Sequence, residues 1–144
     1  MTKEEILEKL ESLILKAHES GDKYDFIDDA YDLTDEIEER ENNIEFVEPI
    51  LKLIERSPNI DFGGPGPLGS FIELHYKKGY EEILVESLNR KPTEYTIFLL
   101  HRLINDKANP KRKTYLELLK VIAENPGLDS EITENAKESL TYFE

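Results

Sequence analysis

The chain contains no cysteine, which excludes disulfides, thiolate metal sites and a cysteine nucleophile, and leaves its redox compartment unmarked. Long hydrophobic runs are also missing. In the opening MTKEEILEKLESLILKA acidic residues interrupt every apolar stretch, so there is no signal-peptide core, and nothing later approaches the roughly 20 apolar residues that span a bilayer. A soluble cytoplasmic protein is expected. Positive charge is scarce: 18 Lys and Arg stand against 32 Asp and Glu, for a net charge of −14 and a pI near 4.7. Such a field repels nucleic acid phosphates and anionic lipid, so neither nucleic acid nor membrane is expected as a direct partner, while cationic proteins meet it faster. No segment alternates apolar and polar residues, so strands are not expected.

The usual marks of catalysis are absent as well. The three histidines, His18, His75 and His101, form neither HExxH nor any other zinc-ligand spacing, and no G-x-S-x-G elbow, P-loop or GxGxxG turn occurs. His75 shares an arc with Leu68, Phe71 and Ile72 and reads as a hydrogen-bonded core histidine, His18 as a surface residue, and His101 as a possible groove residue. The aspartates of residues 22–40 project at helical spacing instead of converging as an EF-hand loop does. No enzyme, cofactor or metal is expected.

What is present is helical periodicity. With 144 residues, 38% of them hydrophobic and 35% charged, the chain suits one all-helical domain over 1–144 able to bury a core. Thr2 and Glu5 form a capping-box pattern before the stripe Ile6, Leu7, Leu10, Leu13, Ile14 and Ala17, and Ser20-Gly21 stops that helix. Further helices are predicted over 22–40, 45–56, 67–79, 80–90, 93–105, 110–124 and from 129 or 130 to about 143. The segment NIDFGGPGPLG gathers four glycines and two prolines into a rigid shaped loop that lets Phe62 and Leu68 pack while the chain reverses. TEYTIFLLHRLIN is apolar almost all round and is placed at the centre. About eight helices joined by short turns read as antiparallel pairs in a right-handed, HEAT-like array, with a compact irregular bundle as the alternative because no internal repeat is visible.

Residues 19–41 hold eleven carboxylates and two bases. Stepped at 100° per residue, Phe26, Ile27, Ala30, Leu33, Thr34 and Ile37 share one arc, and Asp25, Asp28, Asp29, Asp32, Asp35, Glu36 and Glu39 the opposite one. Like charges one turn apart cost a few tenths of a kcal/mol each, roughly, so a basic partner would relieve them. Carboxylates one turn apart repeat about every 5.4 Å, near the phosphate spacing of a nucleic acid strand, and a basic cleft could accept the row as a decoy. Asp25, Asp28, Asp32, Asp35 and Glu39 are therefore the candidate partner-binding residues, with Tyr24 and Tyr31 as anchors beside them. Residues 1–62 carry 19 acidic and 7 basic side chains, and 63–144 carry 13 and 11. A second candidate surface, Tyr95, Phe98 and Arg102 with Asn105, lies along one side of the central helix.

The residues Asp61-Phe62-Gly63-x-Pro65-Gly66-Pro67-Leu68, then Phe71-Ile72-Glu73, Arg90-x-Pro92-Thr93-x-x-Thr96 and Leu100-x-Arg102-Leu103-Ile104-Asn105 form a pattern that resembles bacterial immunity proteins of polymorphic-toxin and contact-dependent growth inhibition systems. It covers roughly residues 59 to 106. The resemblance implies an all-helical cytoplasmic antidote that binds a cognate toxin domain, in many cases a nuclease with a basic cleft; it implies no catalytic residue. A helical-repeat adaptor for an endogenous protein or peptide is the alternative reading.

Overall fold

The computed structural model describes residues 1–144, and its regular structure is entirely helical: eight α-helices, one short 3-10 turn and no strand. Contacts divide the chain into two compact units, Met1–Ser87 and Leu88–Glu144, called unit 1 and unit 2 below.

Unit 1 opens with α1 (Lys3–Ser20). The Thr2 hydroxyl accepts the Glu5 backbone N–H at 3.1 Å and donates to the Glu5 carboxylate at 3.3 Å, so Glu5 answers the cap's hydroxyl and not its backbone. Gly21, at φ +72°, ends α1 by donating its N–H to the Ala17 carbonyl. Ile6, Leu10, Ile14 and Ala17 are buried at helical spacing. The acidic helix α2 spans Tyr24–Glu38, two residues shorter at its start than periodicity predicts, because the Asp22 carboxylate accepts the Tyr24 N–H at 2.9 Å in a preceding turn. The helix expected from 45 begins instead as a 3-10 turn, Asn43–Phe46, after Asn42 takes a left-handed φ of 54°, and becomes α3 at Val47–Arg56. Phe46, Val47, Ile50, Leu51 and Ile54 are buried, as their spacing requires.

Helix α4 (Gly66–Glu73) carries Pro67 in its first turn, where a missing N–H costs no intrahelical bond. Expected to reach Gly79, it stops six residues earlier. From Leu74 onward the N–H groups reach carbonyls three residues back, and Lys77 (φ +62°) and Gly79 (φ +114°) cannot continue a right-handed helix. The Glu81 carboxylate accepts the Lys77 N–H at 3.1 Å, holding that turn against the start of α5 (Tyr80–Arg90). Within unit 1, α1 packs on α2 and α3, and α2 packs on α4.

In unit 2, α6 (Glu94–Ile104) is entered through a capping box made by Thr93 and Thr96. Tyr95, Thr96, Ile97, Leu99, Leu100, Leu103 and Ile104 are buried, the almost all-round burial that its composition predicts. Pro110 lies in a turn and does not open the next helix. The Asn109 carboxamide accepts the Lys111 N–H at 2.9 Å, and α7 begins only at Arg112, running to Ala123. The last helix, α8, is Ser130–Tyr142, and α6, α7 and α8 each touch the other two. No helix is long and apolar enough to cross a membrane.

Candidate functional site

The buried side of α2 is Phe26, Ala30, Leu33, Thr34 and Ile37; on the opposite side Asp28, Asp29, Asp32, Asp35 and Glu39 are exposed, with Asp25 and Glu36 half-buried at its margin. Tyr24 is 58% exposed and Tyr31 42%, one and the same edge of that row, seven residues and two helical turns apart. The structure thus brings Tyr24, Asp28, Tyr31, Asp32, Asp35 and Glu39 onto one outward surface, with Asp25 half-buried beside them.

The chain's own bases do not neutralise this surface. Lys23 lies 3.6 Å from Asp61 and over the Tyr24 ring, at 5.4 Å, and the Arg40 guanidinium donates to the Met1 carbonyl. The Lys52–Glu48 and Arg56–Glu11 pairs of unit 1 involve other helices. No base stands in the last turn of α2, where Asp35, Glu36 and Glu38 meet the negative end of the helix dipole. Each such charge costs about 0.3–1 kcal/mol, and neighbouring carboxylates add a few tenths more. Burying Phe26, Leu33 and Ile37, at about 1.5–3 kcal/mol each, outweighs that cost and keeps the helix formed.

The Gly/Pro loop fixes α2 from behind. Phe62 is fully buried with its ring edge-on to Phe26, centroids 5.4 Å apart at 81°. Gly63 has φ +94°, and a Cβ there would lie 2.7 Å from the Gly66 Cα and 3.5 Å from the Ile27 Cδ1, so only glycine allows the loop to close this tightly beside α2. Asp61 accepts the Gly63 N–H through one carboxylate oxygen at 2.9 Å and faces Lys23 with the other. This loop is thereby a scaffold for the N-terminal half of the acidic helix.

The second candidate surface is only partly a surface. Tyr95 is buried at 9% exposure and belongs to the core, its ring 6.1 Å from the half-buried Phe98, because α6 is covered on almost every side. Arg102 is exposed, with its guanidinium 5.7 Å over Phe98.

The histidines divide three ways. His18 is exposed. His75 departs from the expected hydrogen-bonded core residue: it is half-buried, its ring edge-on to Phe71, and its buried Nε2 has no hydrogen-bond partner, because α4 ends before it and the turn aims the ring at an aromatic neighbour. Burial, and secondarily the Lys78 ammonium, hold its pKa below the ordinary value. His101 is half-buried and tied into unit 2, its Nδ1 2.6 Å from the Ser139 hydroxyl and its ring against Tyr142 and Phe143; burial lowers its pKa too. No group of three or more His, Asp or Glu side chains is arranged to hold a metal ion.

One concavity has no counterpart in the periodicity. Asn105, Lys107, Arg112, Tyr142, Phe143 and Glu144 line an open cleft of about 660 Å³ in unit 2. Its sequence signal is the run Lys107 to Lys113, which holds four bases and no carboxylate in an otherwise acidic chain.

Compared with protein-family models, curated proteins and solved structures, the chain matches none of them.

Proposed function

We propose that this chain is a non-enzymatic immunity protein that neutralises a cationic toxin domain by occluding its basic cleft with the outward face of α2. The observation that carries the reading is a row of exposed carboxylates left without internal partners on a helix that is electrostatically disfavoured in the free protein. A partner cleft lined by lysine and arginine relieves that repulsion and gains rate from it, since complementary fields steer encounter. Tyr24 and Tyr31 supply apolar contact with a polar tip at the edge of the row, and the exposed Arg102 is outside it. The resemblance of residues 59–106 to bacterial immunity proteins supports the same reading, with the loop maintaining the fold and α2 carrying recognition.

Co-expression with a candidate basic toxin domain tests it. The wild type is expected to rescue growth and to co-purify with the toxin, and Asp28→Lys/Asp35→Lys to lose both while retaining its helical circular dichroism. Full rescue by the double variant would remove α2 as the recognition surface.

A further inference from the structure

We infer that the cleft in unit 2 binds a small free phosphomonoester carrying a flat ring, the chemistry of a mononucleotide. Arg112 is already positioned for it. Its Nε donates to the Ile104 carbonyl at 2.8 Å, satisfying one of the carbonyls left open at the end of α6, and its guanidinium faces the Phe143 ring at 5.7 Å. Those contacts use one of five donors, and neither Arg112 nor Lys107 forms an ion pair with a carboxylate of the chain. Two cations match the charge of about −2 on a phosphomonoester better than the single charge of a carboxylate. The Asn105 carboxamide adds a neutral donor to the lining.

The aromatic part of the lining is braced. Tyr142 and Phe143 stand perpendicular, centroids 5.2 Å apart, and both rest on His101, at 4.8 and 4.6 Å, whose Nδ1 is bonded to Ser139. Tyr142 is nevertheless 68% exposed, which leaves ring surface open near two cations that form no ion pair with the chain's carboxylates. A planar base stacks on such a face whatever its identity. The cleft, about 660 Å³, falls among the volumes of small-molecule sites. Between Arg102 and Lys113 five bases accompany one acid, whereas the whole chain carries −14, so a single nucleotide is attracted locally and a polyanionic strand is repelled at longer range. Glu144 is the one carboxylate side chain in the lining and opposes the ligand.

The test is calorimetric titration of the full chain with AMP, adenosine, inorganic phosphate and a 5′-phosphorylated oligonucleotide. AMP is expected to bind saturably and about tenfold more tightly than adenosine or phosphate, because head and ring act together. The oligonucleotide is expected to bind more weakly than AMP. Lys107→Ala, in an exposed turn, and Arg112→Lys, which keeps the charge but loses the fork, should each weaken AMP about fivefold or more, and Glu144→Gln should strengthen it. AMP binding no tighter than adenosine, AMP affinity unchanged in both cation variants, or tighter binding of the oligonucleotide would each overturn the inference.

Discussion

Unit 1 holds 23 acidic and nine basic side chains, whereas unit 2 holds nine of each, although both are built from helices with buried Leu, Ile and Phe at the same spacing. The whole net charge of −14 therefore resides in unit 1. Charge that served solubility alone would be useful anywhere on the surface. Here it is concentrated, and on α2 it runs against the local electrostatics of the helix that carries it. Unit 2 shows what the same architecture looks like without that burden: a balanced exterior and a small concentration of bases around one aromatic-lined cleft. Packing holds both units, while only the first carries a surface of a single charge sign.

The heaviest way to break this comparison is through packing. Phe26→Ala in unit 1 removes a fully buried ring from Phe62 and should cost about 3–5 kcal/mol in urea unfolding, whereas Tyr142→Ala on the exposed wall of the unit 2 cleft should change stability by about 0.5 kcal/mol or less. Gly63→Ala comes next. Its methyl group meets the Gly66 backbone and its φ is left-handed, so a loss of about 1–3 kcal/mol is expected by the same measurement, with faster amide exchange in the first turns of α2.

Smaller in size but sharper in meaning is the free-protein stability of Asp28→Lys/Asp35→Lys. If α2 is self-repelling, the double variant unfolds at higher urea than the wild type, by a few tenths to about 1 kcal/mol, and added salt narrows the gap. A destabilised variant would show that the aspartates serve the fold. The smallest effect expected is on pH, and it belongs to both units. His75 in unit 1 and His101 in unit 2 have folded-state pKa values below the ordinary 6.5, so below that pH the unfolded chain binds more protons than the folded one. Stability from these two groups is present near pH 7 and above and declines as pH falls through 6.5 and below; in His75→Gln/His101→Gln the urea midpoint should fall less between about pH 7 and pH 5.5.

Much of the helical content was legible because it rests on local signals: Thr2, Gly21 and Thr93 mark ends through their own hydrogen bonds or φ, and the stripes of α1 to α3 bury most of the residues that periodicity selects, with Leu7, Leu13 and Ile27 half-buried. The outward face of α2 was legible for the same reason. Where sequence reading failed, the deciding contact was non-local or the turn chemistry subtle. Lys77 in a left-handed conformation, held by Glu81, ends α4 early, and Asn109 rather than Pro110 shapes the approach to α7. Tyr95 is buried although it shares one side of α6 with the exposed Arg102, a difference that no spacing within one helix reveals. The cleft was invisible for a related reason: Arg112 and Phe143 stand 31 positions apart and meet only through the packing of α7 against α8.

On the proposed reading the outward carboxylates of α2 grip a basic protein, so the rate of association depends on salt. If the proposed reading holds, with a candidate basic toxin domain as ligand the wild-type association rate should fall steeply as salt rises, whereas Asp28→Lys/Asp35→Lys should associate about tenfold or more slowly at low salt and with a flatter salt dependence. Equal rates and equal salt slopes for the two proteins would contradict it.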